Sequence, residues 1–175
     1  MLRKISLGLI CFYLGMSSVI AASTQTEDSD SSFTIYLVRH AEKQLNIKDP
    51  ELTACGLKRA GGIAKQLELI NIDKLYSTNF KRTMQTAKPI ATMKNIEIEP
   101  YNPTELQQFA TQLKHKQDNA VVVGHSNTTA LLAGLLANQP LGSFEESIYD
   151  RIYQVVIFKS SVQLNILQQS FVCTE

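Results

Sequence analysis

The stretch FTIYLVRHAEK, residues 33–43, places an Arg-His pair directly after a short run of apolar residues. That run, residues 33–38, is rich in the β-branched and aromatic side chains that strands favour, so it predicts a buried strand. Ligands of open α/β sheets bind beyond the carboxyl ends of the strands, which makes Arg39 and His40 candidates for a functional site. On this stretch alone, a solvated strand end explains the pair equally well.

Composition indicates a globular domain with a small-molecule partner. The chain has 175 residues, of which 44% are hydrophobic and 19% charged, enough for a single domain with a full core. The formal net charge is +1, and no run of Lys or Arg suggests a nucleic-acid surface. The three histidines are scattered and lack the spacing of metal ligands. We therefore expect no nucleic acid partner, no metal and no cofactor.

Residues 1–22 have the features of a secretory signal peptide. Two basic residues precede an uncharged apolar stretch, residues 5–20, and cleavage after Ala21 or Ala22 suits a signal peptidase. An uncleaved membrane anchor is the alternative, because the apolar stretch approaches the length that spans a bilayer. We expect a periplasmic or secreted protein without stable membrane contact after cleavage.

The segment after the signal divides into a leader and one domain. Residues 23–32 are polar and unpatterned, which predicts a flexible leader, and residues 33–175 then form a single domain. Cys55 and Cys173 remain in the exported chain, so a disulfide between them fits an oxidising compartment. The sequence slightly favours two separate thiols, since nothing in it brings the two residues within bridging distance.

The periodicity of the domain alternates between strand and helix. This alternation predicts an α/β fold: a three-layer sandwich with a mostly parallel central sheet and helices on both faces. Thr53 and Thr104 are the expected N-caps of the first and third helices, and Pro89 lies inside the second. Strands are expected at residues 33–38, 73–77, 96–99, 119–124, 151–159 and 162–168, and helices at residues 53–70, 80–93, 104–116 and 126–137.

Two later segments also place polar residues just beyond strands. In VVVGHSNTT, residues 121–129, His125 follows an apolar strand and precedes a helix, as His40 does. In YSTNFKRTMQTA, residues 76–87, Arg82 lies early in a helix that follows a strand-end serine. Each has an ordinary explanation by itself: His125 as a helix-entry residue bonded to the backbone, and Arg82 as an exposed cation.

Taken in order, these segments and LTACGLKRA resemble the signature of the histidine phosphatase superfamily, whose fold is phosphoglycerate mutase-like. The resemblance covers residues 34–136, and Ala41 stands where the family usually has the glycine of Arg-His-Gly. It implies a phosphoglycerate mutase-like sandwich and a metal-independent, acid-type phosphatase. Such an enzyme hydrolyses phosphomonoesters through a phosphohistidine intermediate.

The resemblance also implies roles for individual residues. His40 becomes the phosphorylated nucleophile and His125 the second catalytic histidine, while Arg39 and Arg82 bind the phosphoryl group. Asn46 matches the asparagine of a longer form of the motif and would donate to the same group. Guanidinium groups match phosphate oxygens bidentately, and as neighbouring cations they keep an imidazole neutral and therefore nucleophilic.

The proton donor for the leaving alcohol is less clearly marked. In the family it is a carboxylate between the second arginine and the second histidine, which makes Glu99 and Glu105 candidates, with Glu105 preferred. A glutamate just after the helix cap at Thr104 is also favoured for structural reasons alone. Glu42 and Asp150 are more remote candidates.

Three alternative functions stay open at this stage. One is a phosphohistidine phosphatase, because some small family members lack an evident acid. Another is a phosphate-binding module without turnover, suggested by Ala41 and by the missing acid. The third is a metal-dependent hydrolase built on the histidines. A mutase is less expected, since that activity generally accompanies longer insertions.

Overall fold

The computed structural model describes residues 32–173. The expected signal peptide and, apart from Ser32, the expected leader lie outside the described residues. No helix in the described part is long and apolar enough to cross a membrane. The elements, in chain order, are β1 (Phe33–Arg39), α1 (Ala54–Gln66), β2 (Lys74–Ser77), α2 (Lys81–Lys94), β3 (Ile98–Pro100), α3 (Leu106–Lys116), β4 (Ala120–Gly124), α4 (Thr129–Ala137), β5 (Arg151–Ile157) and β6 (Val162–Gln168).

The six strands form one sheet in the order β3-β2-β4-β1-β5-β6. Strands β3, β2, β4 and β1 run parallel to one another, whereas β5 is antiparallel to both β1 and β6. Helices α1 and α2 share a core with one face of the sheet, and α3 and α4 share a core with the other. The expected three-layer, mostly parallel α/β sandwich is therefore confirmed.

Strand β1 supplies both cores because its side chains alternate between the two faces. Ile35 and Leu37 pack with α3 and α4, whereas Tyr36 and Val38 pack with α1 and α2, and all four side chains are buried. Burying an aliphatic side chain of this size contributes about 1.5–3 kcal/mol, so the strand is held strongly from both sides. This explains its almost uninterrupted apolar sequence.

The first helix begins where the sequence indicates, whereas the third begins later. Thr53 caps α1 as expected, since its hydroxyl accepts a bond from the Gly56 N–H at 3.0 Å. Thr104, the expected cap, does not cap α3. Its N–H and its hydroxyl donate to Asn102 Oδ1, at 3.1 Å and 2.8 Å, and these bonds form an Asx turn. The helix therefore begins after Glu105.

The fourth helix is shortened by a turn rather than by a cap. The His125 N–H donates to Thr128 Oγ1 at 3.0 Å, and the Thr128 N–H returns a bond to the His125 carbonyl at 3.2 Å. These bonds hold the residues after β4 in a tight turn, so α4 begins at Thr129 rather than near Ser126. In α2, Pro89 lies within the helix and does not end it.

The loop that follows β1 is fixed against α1 through Glu42. Its carbonyl accepts a bond from the Thr53 N–H at 2.9 Å, and its carboxylate pairs with buried Arg59 at 2.7 Å. A Cβ on Gly56 would lie 2.2 Å from the Glu42 carbonyl oxygen, so only glycine permits this close approach. Glu42 therefore has a structural role and is committed to Arg59.

The chain end is bonded to the same region. Cys55 and Cys173 form a disulfide with their Cα atoms 5.7 Å apart, which corrects the slight preference for separate thiols. Sequence could not reveal the bond, because the approach depends on where the last strand delivers the tail. Arg59 adds hydrogen bonds to the Gln169 side chain at 3.3 Å and the Phe171 carbonyl at 3.2 Å, so the tail is held at several points.

Loss of the disulfide should destabilise the domain. The bond closes a loop across a sequence separation of 118, and removing it from C55S/C173S should lower the free energy of unfolding by roughly 2–5 kcal/mol. Urea denaturation of the oxidised wild type and the variant measures this difference. Reductant should shift the wild type toward the variant and leave the variant unchanged; a wild type indifferent to reductant would contradict the bond.

Candidate active site

The two histidines of the motifs meet because β1 and β4 are neighbouring parallel strands. Arg39 pairs with Gly124 at the last position of the register, and the next residue on each strand is a histidine. The His40 N–H donates to the Gly124 carbonyl at 3.0 Å, and the imidazole centroids of His40 and His125 are 5.5 Å apart. The helices after these strands cover opposite faces of the sheet, so a crevice opens between the strand ends, where such sheets bind ligands.

His40 is held as a neutral imidazole with a free Nε2. Its Nδ1 lies 2.8 Å from the Ala41 carbonyl oxygen, and because a carbonyl can only accept, Nδ1 carries the proton. Burial lowers the pKa of His40 to about 3, although the Ala41 bond opposes the shift, and nearby Arg39 and Arg82 lower the pKa further. At neutral pH the Nε2 lone pair is therefore available for nucleophilic attack.

His125 is also neutral, and its partners fix its tautomer. Arg82 Nη2 lies 3.3 Å from Nδ1, and because a guanidinium can only donate, Nδ1 must accept. Nε2 then carries the proton and donates to Thr78 Oγ1 at 2.9 Å. Burial, followed by the charges of Arg82 and Arg39, lowers the pKa of His125 to about 4. In this state His125 orients Arg82.

Arg82 enters the site from the first turn of α2. Its guanidinium lies over the Phe80 ring at 4.6 Å, and its Nη1 is 3.7 Å from Asp49 Oδ1. Its Nε is buried without a hydrogen-bond partner among the described residues. Arg82 is therefore a half-buried helix residue beside His125 and differs from an ordinary exposed cation. Its expected role in binding the phosphoryl group stays a prediction.

Arg39 is buried at the end of β1 and binds main-chain carbonyls. Its Nη1 donates to the carbonyls of Glu146 at 2.6 Å and Ile148 at 3.0 Å, with that of Glu145 at 3.4 Å. The Tyr149 ring packs 4.1 Å from the guanidinium carbon. Nε and Nη2 are buried without a partner among the described residues, and Arg39 is not among the residues that line the cavity over the histidines. Its expected role in binding the phosphoryl group stays a prediction.

A cavity of about 320 Å³ opens over the histidines. Burial of a charged N–H group without a partner is costly, so the unpartnered Nε of Arg82, which lines the cavity, indicates that this region suits an anion. The cavity is lined by His40, Lys43, Phe80, Arg82, Pro103, Thr104, His125, Ser126, Asn127, Thr128 and Glu146.

Asn46 does not lie at this cavity. The Gln44 N–H donates to the Glu51 carbonyl at 2.9 Å and Lys43 bridges Leu52, so the intervening residues form a projecting loop. Asn46 is exposed on this loop with φ of 60°, a left-handed conformation that asparagine tolerates well. Its position is explained by turn geometry, and the motif match did not predict its direction.

The candidate acids from the sequence also lie elsewhere. Glu105 is exposed and lines a separate cavity that opens beside α3. Glu99 pairs with Lys74 at 2.8 Å, and this partner lowers the pKa of its carboxyl. Asp150 accepts a bond from the Gln168 side chain at 2.6 Å, and Glu42 is paired with Arg59. None of the four lines the histidine cavity as the structure describes it.

Two residues of the site were missed by the sequence analysis. Thr78, directly after β2, accepts a hydrogen bond from His125 and donates one to Thr83 Oγ1 at 3.0 Å. Its place after the strand-end residue Ser77 is the sequence feature that could have indicated it. Glu146 brings a carboxylate to the cavity from the loop between α4 and β5. That loop has no helical or strand periodicity, so no local pattern indicated its direction.

Comparison with known proteins finds a family model and two relatives that match part of this chain. The model of the histidine phosphatase superfamily (branch 1) matches residues 35–103, which include the Arg-His pair and Arg82. Phosphoserine phosphatase 1 of Hydrogenobacter thermophilus is 39% identical over 71 residues, covering 37% of this chain and 34% of that protein. A probable phosphatase of Schizosaccharomyces pombe is 36% identical over 84 residues, covering 43% and 30% respectively. The chain spans about a third of the length of these relatives.

Solved structures show the same fold over most of the chain. A mycobacterial glucosyl-3-phosphoglycerate phosphatase aligns with a TM-score of 0.67 at 13% identity, covering 79% of this chain and 100% of that one. The protein histidine phosphatase SixA, complexed with tungstate, aligns with a TM-score of 0.63 at 15% identity, covering 78% and 97%. The chain is therefore similar to the histidine phosphatase superfamily (branch 1) over residues 35–103, and it shares the fold of these solved phosphatases.

The buried neutral histidines should make the domain less stable in acid. A histidine of ordinary pKa 6.5 binds a proton in the unfolded chain below that pH, whereas folded His40 and His125 resist until about pH 3 and 4. The free energy of unfolding should therefore fall with pH from about 6.5, by up to about 1.4 kcal/mol per pH unit for each histidine.

Urea denaturation between pH 7 and 5 measures this slope. His40→Gln should make it shallower, because it removes one group whose pKa is depressed by folding. His115→Gln is the matched control, since His115 is exposed on α3. Equal slopes in the wild type and in His40→Gln would show that His40 is not held neutral by the fold.

Proposed function

We propose that this protein is a phosphomonoesterase that works through a phosphohistidine intermediate on His40. The observation that carries the proposal is a neutral histidine with a free Nε2 beside two arginines whose buried nitrogens lack partners. A neutral imidazole can attack phosphorus, and the N–P bond divides hydrolysis into two easier displacements. Its low pKa keeps the nucleophile available in acid, which suits an acid-type phosphatase.

The arginines supply the charge that an in-line phosphoryl transfer requires. Arg82 lines the cavity, and we propose that its Nε donates to the phosphoryl oxygens, on which negative charge is spread in the transition state. The charge of buried Arg39, next to His40 in the chain, adds to this stabilisation. His125, which donates to Thr78, accepts from Arg82 and holds it in place before the substrate arrives, which reduces reorganisation. We propose that this arrangement works without a metal ion, because guanidinium groups perform the charge stabilisation themselves.

The substrate class has two candidates. The first is a phosphorylated small molecule, in keeping with the modest cavity and with relatives described as phosphoserine and glucosyl-3-phosphoglycerate phosphatases. The second is a phosphohistidine on a protein, suggested by the structural likeness to a protein histidine phosphatase. The cavity is open at its rim, where Glu146 and Lys43 lie, so either phosphoryl group has a route to His40.

Hydrolysis of p-nitrophenyl phosphate tests the activity and the nucleophile. The wild type should be active with and without EDTA, and His40→Ala should lose roughly 10³-fold or more in kcat, since the covalent route is removed. Quenched turnover should trap acid-labile phosphate on the wild type. His115→Ala is the control, because its side chain is exposed on a distant helix.

Three outcomes separate the alternatives. A wild type that binds vanadate or phosphate but turns nothing over supports a binding module and overturns the enzyme. Activity that EDTA removes and added metal restores supports a metal-dependent hydrolase. Trapped phosphate that is undiminished in His40→Ala overturns the assignment of His40 while leaving a phosphatase in place.

We also propose that the protein is exported to the periplasm or secreted, with an uncleaved membrane anchor as the alternative. The N-terminal pattern of residues 1–22 supports export, and so does the disulfide between Cys55 and Cys173, since disulfides persist in oxidising compartments. When the full chain is expressed in a bacterium, the exported form should begin at residue 22 or 23 and contain the bond. N-terminal sequencing of the fractionated protein tests this; an intact N-terminus in the membrane fraction supports the anchor instead.

A further inference from the structure

We propose that Glu146 is the proton donor for the leaving alcohol, an inference that rests on the proposed function. The family pattern in sequence pointed to Glu105, which the structure places at another cavity. Glu146 is the one carboxylate among the described residues that line the histidine cavity. It reaches this position from the loop between α4 and β5, which follows the second histidine in the chain instead of preceding it.

The other acidic groups near the site have partners of their own. Both carboxylate oxygens of Glu42 accept from Arg59 Nε, Oε1 at 2.8 Å and Oε2 at 2.9 Å. Asp49 accepts a bond from the Lys81 N–H at 3.1 Å and lies 3.7 Å from Arg82 Nη1. Neither carboxylate lines the cavity. Glu146 has no ion pair within the described part of the chain, so its carboxyl can exchange a proton with a ligand and with water.

The backbone around Glu146 is fixed by the site itself. Arg39 Nη1 donates to the Glu146 carbonyl at 2.6 Å and the Ile148 carbonyl at 3.0 Å, and the Tyr149 ring packs against the same guanidinium. A charged donor on two carbonyls of one short segment restrains that segment strongly. The exposed Glu146 side chain is thus anchored at the cavity rim by a residue adjacent to His40 in the chain.

Glu146 gives up a proton in the first displacement and recovers one in the second. In the first, the His40 Nε2 lone pair forms a bond to phosphorus while the P–O ester bond breaks, and the ester oxygen takes the proton of Glu146 and leaves as an alcohol. In the second, a water oxygen attacks phosphorus, the Glu146 carboxylate takes the water proton, and the N–P electron pair returns to Nε2. Phosphate leaves, and Glu146 is again protonated.

Leaving-group dependence tests this role more sharply than activity alone. Substituted phenyl phosphates share one shape but differ in how much their leaving oxygen needs a proton. Glu146→Gln should lower kcat/KM for phenyl phosphate by about 10²–10⁴-fold. For p-nitrophenyl phosphate the loss should be at least tenfold smaller, because nitrophenolate is a stable anion.

The neighbouring glutamate provides the matched control. Glu145→Gln changes the same charge on the same loop, but its side chain does not line the cavity, so it should keep the wild-type leaving-group dependence. Glu146→Asp retains a carboxyl and should recover part of the phenyl phosphate activity, which a purely structural role of Glu146 would not require. Trapping of phosphate on His40 should persist in Glu146→Gln when p-nitrophenyl phosphate is the donor.

The possible failures are distinguishable. Equal losses on both esters, or an unchanged leaving-group dependence in Glu146→Gln, overturn the assignment of Glu146 while an active wild type keeps the proposed function. A wild type that hydrolyses neither ester overturns the proposed function itself. An equal effect of Glu145→Gln and Glu146→Gln would attribute the loss to the charge of the loop and would also overturn the assignment.

Discussion

The parallel pairing of β1 with β4 is the constraint on which the rest of the site depends. Neighbouring strands lie about 4.8 Å apart, so the residues that directly follow a paired position on each strand are close to each other as a result of the pairing alone. Here the paired position is Arg39 with Gly124, and the next residues are His40 and His125. A slip of one residue in either strand would turn its histidine to the opposite face, so the packing that fixes the register also fixes the geometry of the site.

Burial at these strand ends then sets the charge states. Both imidazoles are desolvated and lie near guanidinium groups, and these two effects favour the neutral form in the same direction. The tautomers follow from partners with only one role in hydrogen bonding: the Ala41 carbonyl can only accept, and Arg82 can only donate. One histidine is thereby left with a free nitrogen, while the other has both nitrogens engaged, so equivalent sequence positions acquire different tasks.

Sequence predicted those parts of the fold and site that depend on local patterns. Apolar runs and helical spacing located the elements. His40 and His125 followed from their positions directly after strands, and Arg82 followed from its place early in the helix after β2. Side chains that reach the site from irregular loops were not predictable in this way. The position of Glu146 depends on a main-chain carbonyl bound by an arginine that is distant in the chain. The expected position of Asn46 at the phosphate was wrong, because its loop projects outward through a left-handed turn. The disulfide likewise depends on tertiary proximity.

Arg39 joins these levels, because its guanidinium binds the backbone of a loop that is distant in the chain. Nη1 donates to the carbonyls of the loop that carries Glu146, while Nε and Nη2 are buried without a partner in the described part of the chain. A lysine ammonium is a point donor without the planar fork of a guanidinium, so it could not hold the loop in the same fixed directions. The arginine of the opening Arg-His pair therefore links the end of β1 to the loop before β5, and this couples the position of His40 to the part of the cavity lining that Glu146 supplies.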